Sequence, residues 1–192
     1  LPSSVPLINA YLFSVLQSLF VIVIMTDFPR REGMGETLEP IYARPMGNAD
    51  YTWGRILGNV MLFSIVNVIV MLACIFFVNL NSLAPLNPWY YLFYFFTLTL
   101  PTVIFILGLG FWLSGISSSR PLAQVLLLGV LTFSLIFAPS FSHGTLDFSG
   151  NSLPNLFSAI TGHVNLKFYL LQRSIYLLLG MGFLLLSTLS FH

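Results

Sequence analysis

Charge is what this chain lacks. Asp, Glu, Lys and Arg make up 7% of its 192 residues, against roughly 25% in an ordinary soluble domain. Between Ile56 and Ser119 there is none at all. A soluble domain needs a polar surface over its apolar core, so a water-exposed fold is excluded. Cysteine is nearly absent too: Cys74 stands alone in an apolar run, which rules out an intrachain disulfide and a thiolate metal centre. There is no Gly-x-x-x-x-Gly-Lys phosphate loop, so an ATP site on this chain is excluded. No basic patch interleaved with aromatics occurs, and nucleic acid is not an expected partner. No cofactor is implied.

What remains is apolar. Hydrophobic residues make up 57% and the mean hydropathy is +0.91. Nine of the thirteen charged residues fall between Asp27 and Arg55. A charge at the centre of a membrane helix costs roughly 2.5–3.5 kcal/mol on insertion scales, and long charge-free runs around one charged cluster follow from that cost. Five stretches approach the roughly 20 apolar residues that cross a bilayer: Val5 to Thr26, Ile56 to Val78, Pro88 to Gly115, Pro121 to Ala138 and Tyr169 to Ser190. The expected fold is all-α: a polytopic transmembrane helical bundle of about five spanning helices. A short cytoplasmic amphipathic helix, the coupling helix of the resemblance drawn from its residues below, and a short outer amphipathic helix are expected with it. The chain starts at Leu1 and ends in an apolar stretch, and it reads as one transmembrane domain, a fragment lacking a first helix and the C-terminal end.

Arg30, Arg31, Arg44 and Arg55 lie between the first two segments and Arg120 between the third and fourth. These loops share one side, which the positive-inside rule makes the cytoplasm. Lys167 and Arg173 flank the fifth segment on the other side. Trp89, Tyr90, Tyr91 and Tyr94 suit an aromatic belt at the outer end of the third segment, as Tyr51 and Trp53 do at the inner end of the second. Pro101, midway along the third, is expected to kink it, with Thr99 and Thr102 placed to satisfy freed carbonyls. Gly108, Gly110, Ser114 and Gly115, like Gly54 and Gly58 in the second, suit close helix contacts. In the outer loop from Pro139 to Phe168, the residues Leu153, Leu156, Phe157, Ile160 and Val164 recur at helical spacing, which predicts a short interfacial helix.

The charged segment carries the functional signal. On a helix Met34, Leu38 and Ile41 share one face and Glu32, Glu36 and Glu39 the opposite one, with Pro40 ending or bending it. The pattern Arg30-x-x-Gly33-x-x-Glu36-x-Leu38, then Pro45, then Tyr51-x-x-Gly54-Arg55 leading into a membrane helix, resembles the permease subunits of ABC transporters, above all the type-2 export class. Gln172-Arg173 with Tyr176 at the start of the last helix fits the same pattern. The resemblance implies a non-catalytic permease. Its coupling element, Arg30, Gly33, Glu36, Leu38 and Arg55, docks on a separate ABC ATPase subunit. It also implies a second permease copy or homologue as partner, contact with membrane lipid, and a bacterial inner membrane.

Two other classes compete. An intramembrane enzyme would use the outer loop, where Ser140, His143 and Asp147 are close in sequence and His163 follows; the simpler reading is that they are polar loop residues in water. An ion-coupled carrier or channel would need ionisable residues within the membrane. Arg173 at the mouth of the last helix is the single candidate.

Overall fold

A computed structural model describes residues 5–34, 48–81, 88–117, 119–141, 144–150, 157–158, 162–163 and 165–190, with the backbone alone for 25–34, 48, 49, 51, 81, 120, 139, 141, 157–158, 162–163, 189 and 190. Helix α1 is Val5–Met34 and α2 is Asn48–Asn81. Helix α3 runs as Pro88–Tyr94, a π turn at Phe95–Thr99 and Leu100–Ile116. Helix α4 follows the same plan: Arg120–Thr132, a π turn at Phe133–Phe137 and a last turn Ala138–Phe141. Helix α5 is Leu166–Ser190.

Among the described residues four helices carry apolar spans long enough to cross a bilayer: Val5–Ile24, Thr52–Leu80, Pro88–Ile116 and Leu166–Thr188. The apolar part of α4, Pro121–Phe137, is shorter. The chain is an integral membrane protein with an all-α bundle, because lipid offers no hydrogen bonds and only a helix satisfies its own backbone within one segment.

Helix α3 is the axis. Of its most apolar window 61% is buried, against 11% for α2. A helix apolar all round belongs inside, with neighbours on every side. Ile106 and Leu107 are fully enclosed, and Phe105 packs between Phe148 and Tyr176. The most extensive packing is α3 on α5. They cross where Gly108 meets Gly180. A Cβ built on Gly108 would strike the Gly180 carbonyl, and one on Gly180 would lie 2.7 Å from Phe105 Cα. Without a hydrophobic force between helices in lipid, such backbone approach supplies the dispersion contact that joins them.

Gly54 and Gly58 do not act this way: among the described residues nothing lies within 4 Å of a Cβ at either, and both are exposed. The aromatic belt also divides. Trp89 is 72% exposed, as an interfacial anchor should be, whereas Tyr91 and Tyr94 are buried in the bundle.

Proline shapes two helices in one manner. In α3 the Leu100 N–H bonds back to the Phe95 carbonyl, and Pro101 comes next. In α4 the Ala138 N–H bonds back to the Phe133 carbonyl, and Pro139 comes next. The wide turn ends where the proline's missing donor would have been needed. Thr102 does donate to a carbonyl as expected, that of Leu98 at 2.8 Å. Thr99 instead lies 3.5 Å from the Ser14 hydroxyl of α1.

Helix α1 continues ten residues beyond its apolar span, past the expected end at Thr26. In the outer loop Phe157–Ser158 (β1) pairs antiparallel with Gly162–His163 (β2). Phe157 is thus extended, not part of the expected interfacial helix; an i, i+3 recurrence cannot tell a helix from a tight hairpin over so few residues. Leu153, Leu156, Ile160 and Val164 lie outside the described residues.

Two outcomes follow. Cysteine introduced at Glu36 in a Cys74→Ala background is expected to react with an impermeant maleimide from the cytoplasmic side only, and cysteine at the exposed Leu146 from the outside only. Gly108→Ala is expected to lower stability in detergent by about 1–3 kcal/mol through overpacking, while Gly58→Ala leaves it unchanged; thermal unfolding of both variants measures this.

Candidate functional site

The densest polar arrangement among the described residues is at the end of the bundle away from the charged segment, around a turn of irregular backbone. Residues 144–150 leave α4 as two successive turns, Asp147 N–H to the Gly144 carbonyl and Gly150 N–H to the Asp147 carbonyl, both at 3.2 Å. Gly144 and Gly150 have φ of 82° and 79°, a region that glycine enters without the steric cost of a side chain. Gly144 and residues 147–150 are buried, so this backbone lies inside the protein rather than in water or lipid. Irregular backbone at membrane depth is tolerated only where protein satisfies its polar groups.

Helix α5 supplies those partners two turns from its start. The Arg173 side chain is 2% exposed. Its Nη1 donates to the Phe148 carbonyl at 2.7 Å, and its Nη2 to the Asp147 carbonyl at 2.9 Å and to Gln172 Oε1 at 2.7 Å. Gln172 Nε2 reaches the carbonyls of Gly144 and Thr145, each at 2.9 Å, and of Asp147 at 3.1 Å. One turn on, the Tyr176 hydroxyl donates to the Thr145 carbonyl at 3.1 Å. The guanidinium also lies over two rings, 5.9 Å from the Tyr169 centroid and 5.6 Å from that of Tyr176. A planar fork with several donors suits a row of carbonyls in a way that an ammonium does not.

Asp147 is fully buried. Its Oδ1 accepts from the Ser149 N–H at 2.8 Å, the Ser149 hydroxyl at 2.6 Å and the Ser134 hydroxyl of the second π turn at 2.8 Å. Phe148 extends the turn inward: its ring packs on Phe105, and its carbonyl lies 3.2 Å from the Thr102 hydroxyl. The turn is therefore bonded to α3, α4 and α5 together. Only glycine fits at 150, since a Cβ there would stand 2.6 Å from the Arg173 guanidinium carbon.

These positions revise the expectations for the outer loop. Asp147 is not a polar residue in water, and its carboxylate is engaged by hydroxyl and backbone donors that fold the turn. Arg173, expected at the mouth of the last helix, lies inside the bundle as a clamp. Ser140 is exposed, and His143 lies outside the described residues. Gln172 and Ser134 were not anticipated in this role; the signal for both was polarity within apolar helices.

In the charged segment Arg30 and Gly33 fall on the backbone extension of α1, and Glu36, Leu38 and Pro45 lie outside the described residues. Arg55 is half-buried on α2, its guanidinium 5.5 Å from the centroid of the Phe111 ring of α3. It thus ties two helices at this end of the bundle rather than projecting away from it. Among the described residues no group of three or more His, Cys, Asp or Glu could hold a metal ion. No protein-family model matches the chain, nor does any curated protein or solved structure.

Arg173→Met removes a donor set from buried carbonyls, each unmet group costing about 1–3 kcal/mol. The expected result is a loss of about 2–5 kcal/mol in detergent unfolding and new protease cleavage within 144–150. Arg173→Lys should recover only part of this, and Gly150→Ala should open the same turn.

Proposed function

We propose that this chain is the membrane-spanning permease subunit of an ATP-driven transporter of the type-2 ABC class, energised by a separate ATPase subunit. The observation that carries the reading is the continuity of the two helices that flank the charged segment. The span of α1 ends at Ile24, but the helix runs to Met34; α2 begins at Asn48, ahead of its span at Thr52. At 1.5 Å per residue α1 projects about 15 Å beyond its span. A push on the segment between them would be carried by stiff helix into two spans, and Arg55 over Phe111 would pass it to α3.

The electrostatics support the same reading. Energy for an ion-coupled carrier enters through ionisable groups free to bind or release ions within the membrane. Arg173, well inside the last span, is committed to carbonyls and to Gln172, so the driving event belongs outside the spans, where eight charges gather between Asp27 and Asp50. In this reading Glu36 meets a basic residue of the ATPase, a second permease copy or homologue completes the pathway, and the assembly sits in a bacterial inner membrane.

The test is purification of the native complex with Glu36→Ala, Glu32→Ala and Glu39→Ala compared in parallel. Truncating one partner of a partly buried charge pair costs roughly 2–5 kcal/mol of binding. Glu36→Ala should therefore shed the ATPase chain and lower ATP hydrolysis and transport together, with insertion intact. Unchanged assembly and transport in all three variants would remove the coupling role.

A further inference from the structure

The π turns of α3 and α4 lie at the same end of the bundle, and a closed circuit of polar contacts joins them. Thr97, within the first π turn, donates to the Phe93 carbonyl at 2.8 Å. Its one hydrogen is thus spent, so the Tyr169 hydroxyl of α5, 3.2 Å away, is the donor between the two. The Tyr169 ring lies 5.9 Å from the Arg173 guanidinium, which donates to the carbonyls of Asp147 and Phe148. From there the circuit divides. Asp147 Oδ1 accepts from Ser134, in the π turn of α4, at 2.8 Å. The Phe148 carbonyl stands 3.2 Å from the Thr102 hydroxyl and so returns to α3. Thr102, Ser134, Asp147, Tyr169 and Arg173 are all buried.

A closed circuit in an apolar medium does not open one link at a time. Lifting the turn alone would strip Arg173 of its acceptors and Asp147 of the Ser134 donor while protein and lipid still exclude water. Moving the start of α5 alone would leave the carbonyls of Gly144, Thr145, Asp147 and Phe148 without the donors of Gln172 and Arg173. Each partial opening costs unmet buried groups, whereas a joint opening lets water reach them all together. The places to bend are also set. Helices kink at prolines and at π turns, and here Pro101 and Pro139 directly follow the residues that close the two π turns. Further along, α3 and α5 are held by the backbone approach of Gly108 to Gly180, which leaves no room for a methyl group.

We propose that residues 144–150 form a strap that opens in one step with the start of α5, as α3 and α4 bend at their π turns, while the bundle past the Gly108–Gly180 crossing stays folded. The open form brings water to Arg173, to the carbonyls of the strap and to the Phe105 ring on which Phe148 packs. The proposal does not rest on the transport reading.

Hydrogen exchange read by mass spectrometry, on the full chain in phosphatidylcholine nanodiscs, tests it. Amides of 96–100, 133–138, 145–150 and 168–173 are expected to exchange through one shared opening, faster than those of 109–116 in α3. Ser134→Ala removes a donor from a carboxylate and should speed all four segments by a common factor, about tenfold or more. Tyr169→Phe keeps the ring beside Arg173 and deletes only the hydroxyl. It should speed the same four segments about fivefold, the worth of one neutral hydrogen bond, including 133–138 in a helix it does not touch. Acceleration confined to 133–150 in Ser134→Ala, or to 96–100 and 168–173 in Tyr169→Phe, overturns the proposal. Equal acceleration of 109–116 overturns it too, because the event is then unfolding of the whole bundle.

Discussion

A guanidinium enclosed among apolar helices must find acceptors inside the protein, because neither water nor lipid will supply them. At Arg173 the acceptors are backbone carbonyls that a regular helix would have consumed itself. The charge and the irregular turn therefore require one another. Without 144–150 the arginine would be an unmet cation in the membrane, and without the arginine the turn would present bare carbonyls to an apolar interior. Gly150, Gln172, Tyr176 and Asp147 each serve this exchange from a different direction. Since Phe148 carries the turn down onto Phe105, the core around α3 depends on it as well.

The spans were legible because hydrocarbon leaves a coarse signature: long charge-free runs, with Arg30, Arg31, Arg44, Arg55 and Arg120 gathered between or at the ends of alternate runs. The burial pattern was not. Tyr91 and Tyr94 read as belt residues beside Trp89, but aromatics serve a core as well as an interface, and composition does not separate the two. Gly54-x-x-x-Gly58 fits a packing motif and faces outward, whereas the decisive approach joins Gly108 to Gly180, two glycines far apart in sequence. Arg173 was visible as an ionisable residue in an apolar helix. Its partners were not, because they are main-chain oxygens that any residue would provide.

Proline had a second meaning here. Pro101 reads as a kink, yet the more informative regularity is that both π turns begin at a phenylalanine and close one residue before a proline. The widened turn shifts the bonding by one residue, so that the proline falls where regular α-helix resumes and its absent N–H leaves less unmet. Each π turn also delivers a polar residue inward: Thr99 toward Ser14 of α1, Ser134 to Asp147. A straight α-helix of the same sequence would place these side chains differently around its axis.

The unequal spans bear on the surrounding bilayer. The apolar stretch of α2 holds 29 residues, about 43 Å of helix, against a hydrocarbon layer of roughly 30 Å. The apolar part of α4 is no longer than 17 residues, about 25 Å. One protein thus meets lipid with a long wall and a short one. The long wall demands tilt or stretched acyl chains, and the short one draws the leaflets together. The annulus around this bundle is accordingly asymmetric, thicker beside α2 than beside α4. Acyl-chain length in the host membrane then becomes a determinant of how steeply these helices lie.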